Sequence, residues 1–247
     1  MVLLTTLLAR NPGTLTGPGN NTYLIDGAEP ALIDAGVGHP EHLDELAKVL
    51  GGRGLARVLV THGHPDHASG VPALRARWPH VAVHKWPGSG DTDAWLPLRD
   101  DEVVRAGDQE LRVVYTPGHA IDHVCFWHPQ SRELFCGDMM TKTTTIMVPP
   151  SFRGGSLTDY LASLRRLAAL QPRLAWPGHG EVIDAPVERI HTYLVHRAER
   201  ERQVQACLDE GVTDIDAIVA RVYADTPSDL WPAARLTVEA LLEKLHG

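Results

Sequence analysis

Cysteine is scarce in this 247-residue chain. Its three cysteines, Cys125, Cys136 and Cys207, are odd in number and form no Cys-x-x-Cys pair, which argues against a secreted disulfide framework. Cys125 and Cys136 lie in strand-like apolar runs and are expected to be small core residues, not nucleophiles. Long apolar runs are missing too. The N-terminal apolar stretch has neither a basic region nor a small-residue cleavage site, and Asn11, Pro12 and Gly13 stop it after about ten residues, too few to span a bilayer. It is expected to form an edge or core strand, and the protein to be cytoplasmic with no membrane contact. Positive charge is in deficit as well, and a net charge of −8 disfavours a broad electrostatic footprint for nucleic acid. No strand-turn-helix elbow presents a Ser or Cys nucleophile.

What the chain does have is a cluster of metal-competent side chains. His62, His64, Asp66 and His67 fall within residues 61–67, directly after the apolar run 57–60. That run reads as a short buried strand, and the Gly63 and Pro65 interruption reads as a tight loop opening into a helix near 68–78. Residues two apart in an extended segment point to the same side, so His62 and His64 can grip one ion. Asp66 and His67, in the following turn, aim at a neighbouring point. Two metal ions are implied. Imidazole together with carboxylate suits Zn²⁺, with Mn²⁺ or Fe²⁺ as alternatives, and the absence of Cys from the motif removes the signature of a closed structural zinc site.

Elsewhere the pattern repeats as strand, glycine, single ligand. Residues 111–115 run as a strand into Pro117, Gly118 and His119; a hairpin of 124–127 and 133–136 ends in Gly137 and Asp138; 174–176 ends in Pro177, Gly178 and His179. Ahead of the histidine loop, 20–27 and 31–36 form a predicted hairpin, with Asp34 expected as a loop-anchoring carboxylate. Helical periodicity covers 40–50, stopped by Gly51 and Gly52, and 157–170. Another short strand is predicted at 81–84, and residues 86–101 are expected to be a surface loop bordering the site. His80, His84 and His128 lack ligand neighbours and are expected at the surface or at strand ends. Beyond Pro186 only helices are predicted, near 187–208, 213–224 and 231–245, so residues 1–185 and 186–247 form the expected division.

The ensemble His-x-His-x-Asp-His, then Pro-Gly-His, Gly-Asp and Pro-Gly-His, resembles the metallo-β-lactamase superfamily over residues 20–183. The resemblance implies an α/β fold, a four-layer αβ/βα sandwich with the metals at its open edge. It further implies that His62, His64 and His119 hold the first ion, that Asp66, His67 and His179 hold the second, and that Asp138 bridges them. Asp66 and Asp138 are then the carboxylates of the catalytic centre. A hydroxide held between two ions is a nucleophile at neutral pH, and either ion can polarise a carbonyl or phosphoryl oxygen. His123, four residues after His119, is a candidate for orienting the ligands, the alternative being a hydrogen-bonded histidine at the start of a strand.

A narrower resemblance, to the β-lactamase-like protein two group, rests on residues 21–25, on 115–119, on Asp122 and His123, on 193–201 and on 224–227. It implies a C-terminal winged-helix-like domain and either single-stranded RNA cleavage or thioesterase activity. Two departures favour a small-molecule substrate over RNA: the 141–155 loop, apolar at 147–152, is longer, and the chain stops at Gly247 where a wing hairpin would continue. From residue 186 onward there are seven Arg and Lys against eleven Asp and Glu, whereas a phosphate-gripping winged helix is usually basic. The expected activity is metal-dependent hydrolysis of an acyl ester or thioester, with an endoribonuclease as the alternative. A mononuclear iron persulfide dioxygenase and a non-catalytic scaffold rank below both. The helical segment is expected to pack on the site or to make a homodimer. His191 and His196 are five apart, about 140° around a helix, and cannot chelate one ion together. His196 and Arg197 are candidates for the cleft, and Lys142, Thr143 and Thr144 for contact with an anionic substrate group.

Overall fold

The computed structural model describes residues 4–88 and 95–246. Two sheets face each other. The first runs β1 (Leu4–Leu8), β2 (Asn21–Ile25), β3 (Ala31–Ile33), β4 (Arg57–Leu59), β5 (Ala82–Lys85) and β6 (Leu96–Pro97), antiparallel as far as β3 and parallel from there. The second runs β11 (Leu174–Pro177), β10 (Glu133–Gly137), β9 (Val124–His128), β8 (Gln109–Tyr115) and β7 (Val103–Ala106), with only β10 and β11 parallel.

Side-chain alternation along each strand decides the layers. Tyr23, Ile25, Ile33 and Leu59 of the first sheet meet Val113, Val124, Phe126 and Phe135 of the second in the central core. The alternate residues Leu24, Leu32, Val58 and Val60 point outward, where Leu43, Leu46 and Leu50 of α1 (Pro40–Leu50) and Leu74 of α3 (Val71–Arg77) cover them. On the other side Cys125, Trp127, Leu134 and Cys136 are covered by Leu157, Tyr160, Leu161, Leu164 and Leu167 of α4 (Leu157–Ala169). Fully burying one such leucine contributes roughly 1.5–3 kcal/mol. The result is the helix-sheet-sheet-helix sandwich.

Three C-terminal helices, α5 (Pro186–Asp209), α6 (Ile215–Val222) and α7 (Trp231–His246), share the core that lies under α4. Ile190, Tyr193, Val204, Ile218, Val238 and Leu241 are continuous with it, so this segment is packed onto the sandwich. Asp214 caps α6 by accepting from the Ala217 amide at 2.9 Å.

Three expectations need correction. The helix expected near 68–78 is two pieces, α2 (Pro65–Ala68) and α3, because the chain turns at Gly70, where a Cβ would lie 2.3 Å from the Ala35 carbonyl oxygen. The expected loop 86–101 contains β6 and stacks Trp86 on Tyr115 with ring centroids 3.9 Å apart, while its residues 89–94 lie outside the described residues. Val148 and its neighbours at 149 and 150 are buried, so of the expected apolar 147–152 loop only Phe152 is an exposed large apolar side chain. Residues 1–3 of the expected N-terminal strand are also outside the described residues, and β1 is an edge strand paired with β2. Among the described residues no helix is long and apolar enough to cross a membrane.

Candidate metal centre

Four strand ends deliver the predicted ligands to one place. The residues after β4 carry His62 and His64, α2 carries Asp66 and His67, and the turns after β8, β10 and β11 carry His119, Asp138 and His179. Three overlapping groups result: His62, His64 and His119; His62, His67 and Asp138; and Asp66, His67 and His179. Within each group the donor atoms lie within 4.8 Å of one another.

In the first group His64 Nδ1 is 3.0 Å from both His62 Nε2 and His119 Nε2. In the last, Asp66 Oδ2 is 3.5 Å from His67 Nε2 and 3.3 Å from His179 Nε2. Asp138 joins the two, with Oδ2 at 3.6 Å from His119 Nε2 and 3.3 Å from His179 Nε2, and Oδ1 at 3.4 Å from His67 Nε2. Only glycine fits at 178, since a Cβ there would meet Asp138 Oδ1 at 2.4 Å and His67 Cε1 at 2.6 Å.

The backs of the imidazoles fix their tautomers. Asp34 accepts from His67 Nδ1 at 2.7 Å and from the Thr61 amide at 2.8 Å, and its carboxylate also receives the Thr61 hydroxyl. That hydroxyl, its proton given to Asp34, accepts from His62 Nδ1 at 3.0 Å. His119 Nδ1 donates to the Met147 carbonyl at 2.8 Å. His62 and His119 therefore turn unprotonated Nε2 atoms toward the cluster, and His67, its Nδ1–H held by Asp34, presents an Nε2 whose lone pair is free once any proton on it is displaced. His123 faces the other way: its Nε2 accepts from the Asp138 amide at 3.1 Å, so its Nδ1 carries the proton toward Thr116 Oγ1 at 2.9 Å. It holds the Asp138 backbone.

Two buried atoms at the centre, His67 Nε2 and Asp138 Oδ1, have no hydrogen-bond partner. They face each other at 3.4 Å, too long for a good hydrogen bond, and a bound cation would satisfy both. The electrostatics agree. Burial, with His67 adding to it, pushes His62 well below the ordinary histidine range, and burial takes His64 down to about 4 and lowers His119. These three imidazoles are neutral at pH 7 and ready to donate lone pairs. On the other side burial opposes the charge on His67, but Asp138 and Asp34 outweigh it and raise its pKa well above the usual value. His179 rises to about 9 against burial through its bonds to Asp138 and Asp66. Burial likewise opposes ionisation of Asp138, yet His67 and His179 hold it well below the carboxylate range. This cage attracts positive charge, either as protons or as a metal ion that displaces them. The residues present fit divalent metal.

Other candidates lie apart. Lys142 pairs with Glu181 at 3.3 Å, and His128, buried at the end of β9, bonds Ser131. Sequence reasoning missed several supports. Lys85 and Asp122, both buried, pair at 2.7 Å beside Gly63, whose added Cβ would meet Asp122 Oδ2 at 2.8 Å. A lone lysine closing an apolar strand was the available signal. Asn20 donates to the Asp66 carbonyl at 2.6 Å, and Asn21 to the Pro177 carbonyl at 3.0 Å and the Gly180 carbonyl at 2.9 Å, bracketing His179.

Comparison with known proteins identifies the family. The family described as the metallo-beta-lactamase superfamily matches residues 15–179, and the beta-lactamase associated winged helix domain matches 215–246. A beta-lactamase-like protein 2 homolog of Caenorhabditis elegans is 32% identical, over 98% of this chain and 83% of that protein. An atrochrysone carboxyl ACP thioesterase of Aspergillus chevalieri is 33% identical, over 98% of this chain and 80% of that one. A beta-lactamase domain protein from Burkholderia ambifaria superposes with a TM-score of 0.88 at 22% identity, covering 98% and 85% of the two chains, a likeness of fold alone. A metal-ready cluster at the edge of a two-sheet sandwich, followed by a matching helical domain, places this chain in the metallo-β-lactamase superfamily, among the members that carry an associated winged helix domain.

Proposed function

We propose that this hydrolase holds two divalent ions, Zn²⁺ by donor preference with Mn²⁺ or Fe²⁺ as alternatives, and that it cleaves an acyl thioester or a similar activated ester. His62, His64 and His119 would hold one ion, Asp66, His67 and His179 the other, with Asp138 between them. The observation that carries this is the sharing of one buried carboxylate, Asp138, by two adjoining sets of donors. Ions bound there would bring the pKa of a water toward neutrality and polarise a carbonyl.

The chain's own residues do the rest. Asp34, Thr61 and the Met147 carbonyl hold three imidazoles in their donor tautomers. His62 and His67 are fully buried and seal the floor, while His64 and Asp66 are partly exposed and form the mouth. A departing thiolate, whose parent thiol has a pKa of about 8.5, needs no general acid, which suits a cluster built from metal donors alone. Burial pushes the Cys125 thiol up to about 12 and raises Cys136 well above its usual value, so neither serves as a covalent nucleophile.

Two further observations favour a small acyl substrate over RNA. All seven basic residues after position 185 are engaged within the chain. Arg189, Arg197 and Arg200 donate to backbone carbonyls, and Arg202, Arg221, Arg235 and Lys244 pair with carboxylates. The Aspergillus relative is named an atrochrysone carboxyl ACP thioesterase. The test is hydrolysis of a generic acyl thioester and of a labelled single-stranded RNA by one metal-loaded preparation, with Asp138→Ala as control. Thioester turnover that is lost in the variant is expected. Robust, salt-sensitive RNA cleavage lost in the same variant would reverse the assignment.

A further inference from the structure

His119 is flanked by a loop and by the packing of Tyr160 on Gly118, and both the loop and the Tyr160 ring are contacted by one helix, α5, that neither family description covers. Its Nδ1 rests on the Met147 carbonyl, which belongs to the loop that leaves Asp138 and passes under α5. Arg189, Tyr193 and Arg197 stand four residues apart on α5 and so share one face. Arg189 Nε donates to the Thr141 carbonyl at 2.7 Å, and its Nη2 donates to the Thr144 carbonyl. The Tyr193 hydroxyl accepts from the Thr141 amide at 2.9 Å and donates to the Thr144 carbonyl at 2.9 Å. Arg197 Nη2 donates to the Ile146 carbonyl, one residue before Met147.

Arg197 also reaches the other flank. Its guanidinium lies 5.7 Å from the centre of the Tyr160 ring. The Tyr160 backbone packs so closely on Gly118, the residue before His119, that a Cβ there would sit 2.3 Å from Tyr160 Cα. Gly118 is also fixed by the Ser156 amide, which donates to its carbonyl at 2.8 Å. Arg197 is 2% exposed and its Nε has no partner. A buried guanidinium used on one carbonyl and one ring face is a costly way to fill a position that an apolar side chain would fill. It holds the Ile146 carbonyl, one residue before the acceptor of His119, and stands over the ring of Tyr160, whose backbone packs on Gly118.

We propose that Arg197, with Tyr193 and Arg189 beside it, is a positioning residue for His119, so that α5 is part of the support of the metal centre and not a tether to the winged helix domain. This rests on the reading of His119 as a metal ligand, and the experiment separates the two. Apoprotein is titrated with Co²⁺ against a competing chelator, following the visible bands, and His119→Ala and His179→Ala assign each binding step to its cage. Arg197→Met is expected to weaken the His119 step by about tenfold or more and to alter its bands, with the His179 step unchanged. Arg197→Lys, which keeps a donor for Ile146 and a charge over Tyr160, should restore most of the loss. A merely structural role would weaken both steps alike. Wild-type affinities in Arg197→Met, or equal weakening of both steps, overturn the proposal. Should that variant not fold, Tyr193→Phe, which removes only a hydroxyl, is read by the same criterion. If His119→Ala itself keeps both steps at wild-type affinity, the ligand reading fails and the positioning proposal falls with it. If His119→Ala loses its step while Arg197→Met does not, only the positioning proposal falls.

Discussion

Replacing Asp34 by Asn should cost metal affinity at one cage while leaving the fold in place. Asp34 sits in the left-handed region at φ 61°, which Asn tolerates better than other residues with a side chain. The backbone is therefore not the point of failure. The asparagine oxygen can keep the Thr61 amide, now 2.8 Å from Oδ1, but the amide nitrogen then faces His67 Nδ1, now 2.7 Å from Oδ2. Donor meets donor. Holding that clash would forgo a charge-assisted bond worth about 1.5–3 kcal/mol. A neutral imidazole avoids it by moving its proton from Nδ1 to Nε2, and Nε2 is the atom that faces Asp66 and Asp138. The lone pair for the second ion is lost, and binding there competes with restoring the original tautomer. The expected effect is a drop of about ten- to a hundredfold in affinity for the Asp66, His67 and His179 cage, while the His62, His64 and His119 cage changes little. Chelator competition on apoprotein measures it, alongside a thermal unfolding scan of the same apoprotein that should move by only a few degrees. An unchanged second affinity would refute the tautomer argument. Equal losses at both cages with a large fall in unfolding temperature would show that Asp34 is a fold residue instead.

Asp138→Ala should abolish tight binding of both ions, because that carboxylate alone reaches both donor sets, and metal analysis after gel filtration reads the stoichiometry directly. Gly178→Ala should fold but lose the second ion, since its Cβ would lie 2.4 Å from Asp138 Oδ1; a wild-type metal content would show that the loop yields. Raising the salt concentration from about 50 to 200 mM should barely alter thioester turnover, whereas an enzyme neutralising several phosphates would lose orders of magnitude in affinity. His42, on the buried face of α1 and 2.8 Å from Thr22 Oγ1, is lowered to about 4 by burial. Between about 4 and 6.5 the unfolded chain binds the extra proton, so stability is full above that window and falls as the pH drops through it, by up to about 3 kcal/mol. Denaturant titrations of apoprotein should show a flatter profile there for His42→Gln than for the wild type, and parallel profiles would remove His42 as the source.

The donor positions were legible because chemistry of that kind demands particular side chains at particular intervals. His62 and His64 must be two apart to share an ion from an extended segment, and each later donor follows a strand and a glycine. The central strands were legible through alternation. What escaped was local or long-range. The β7 to β8 hairpin turns on Gly107 and Asp108, a two-residue signal flanked by alternating residues that sequence reading passed over. The apolar character at 147–150 was visible, but its direction was not, and the loop turns those residues into the core.

The supports behind the donors escaped for a different reason. Met147 serves His119 through a carbonyl, and Arg197 serves that loop through the carbonyl of Ile146. Every residue has a carbonyl, so no residue type marks the acceptor, and the pairing becomes visible only when the chain brings position 197 over position 146. Charge counting met the same limit. Seven basic residues against eleven acidic ones gave the sign of the C-terminal segment, but not that three of its arginines are spent on backbone oxygens. That distinction bears on substrate, because an arginine bound to a buried carbonyl is unavailable to a phosphate while it remains so bound, whatever the net charge. Freeing such a side chain would reopen backbone acceptors next to the metal donors, so the grip of α5 on residues 141–147 and a phosphate-binding role for the same arginines are alternatives. The packed geometry of Arg189 and Arg197 realises the first of them.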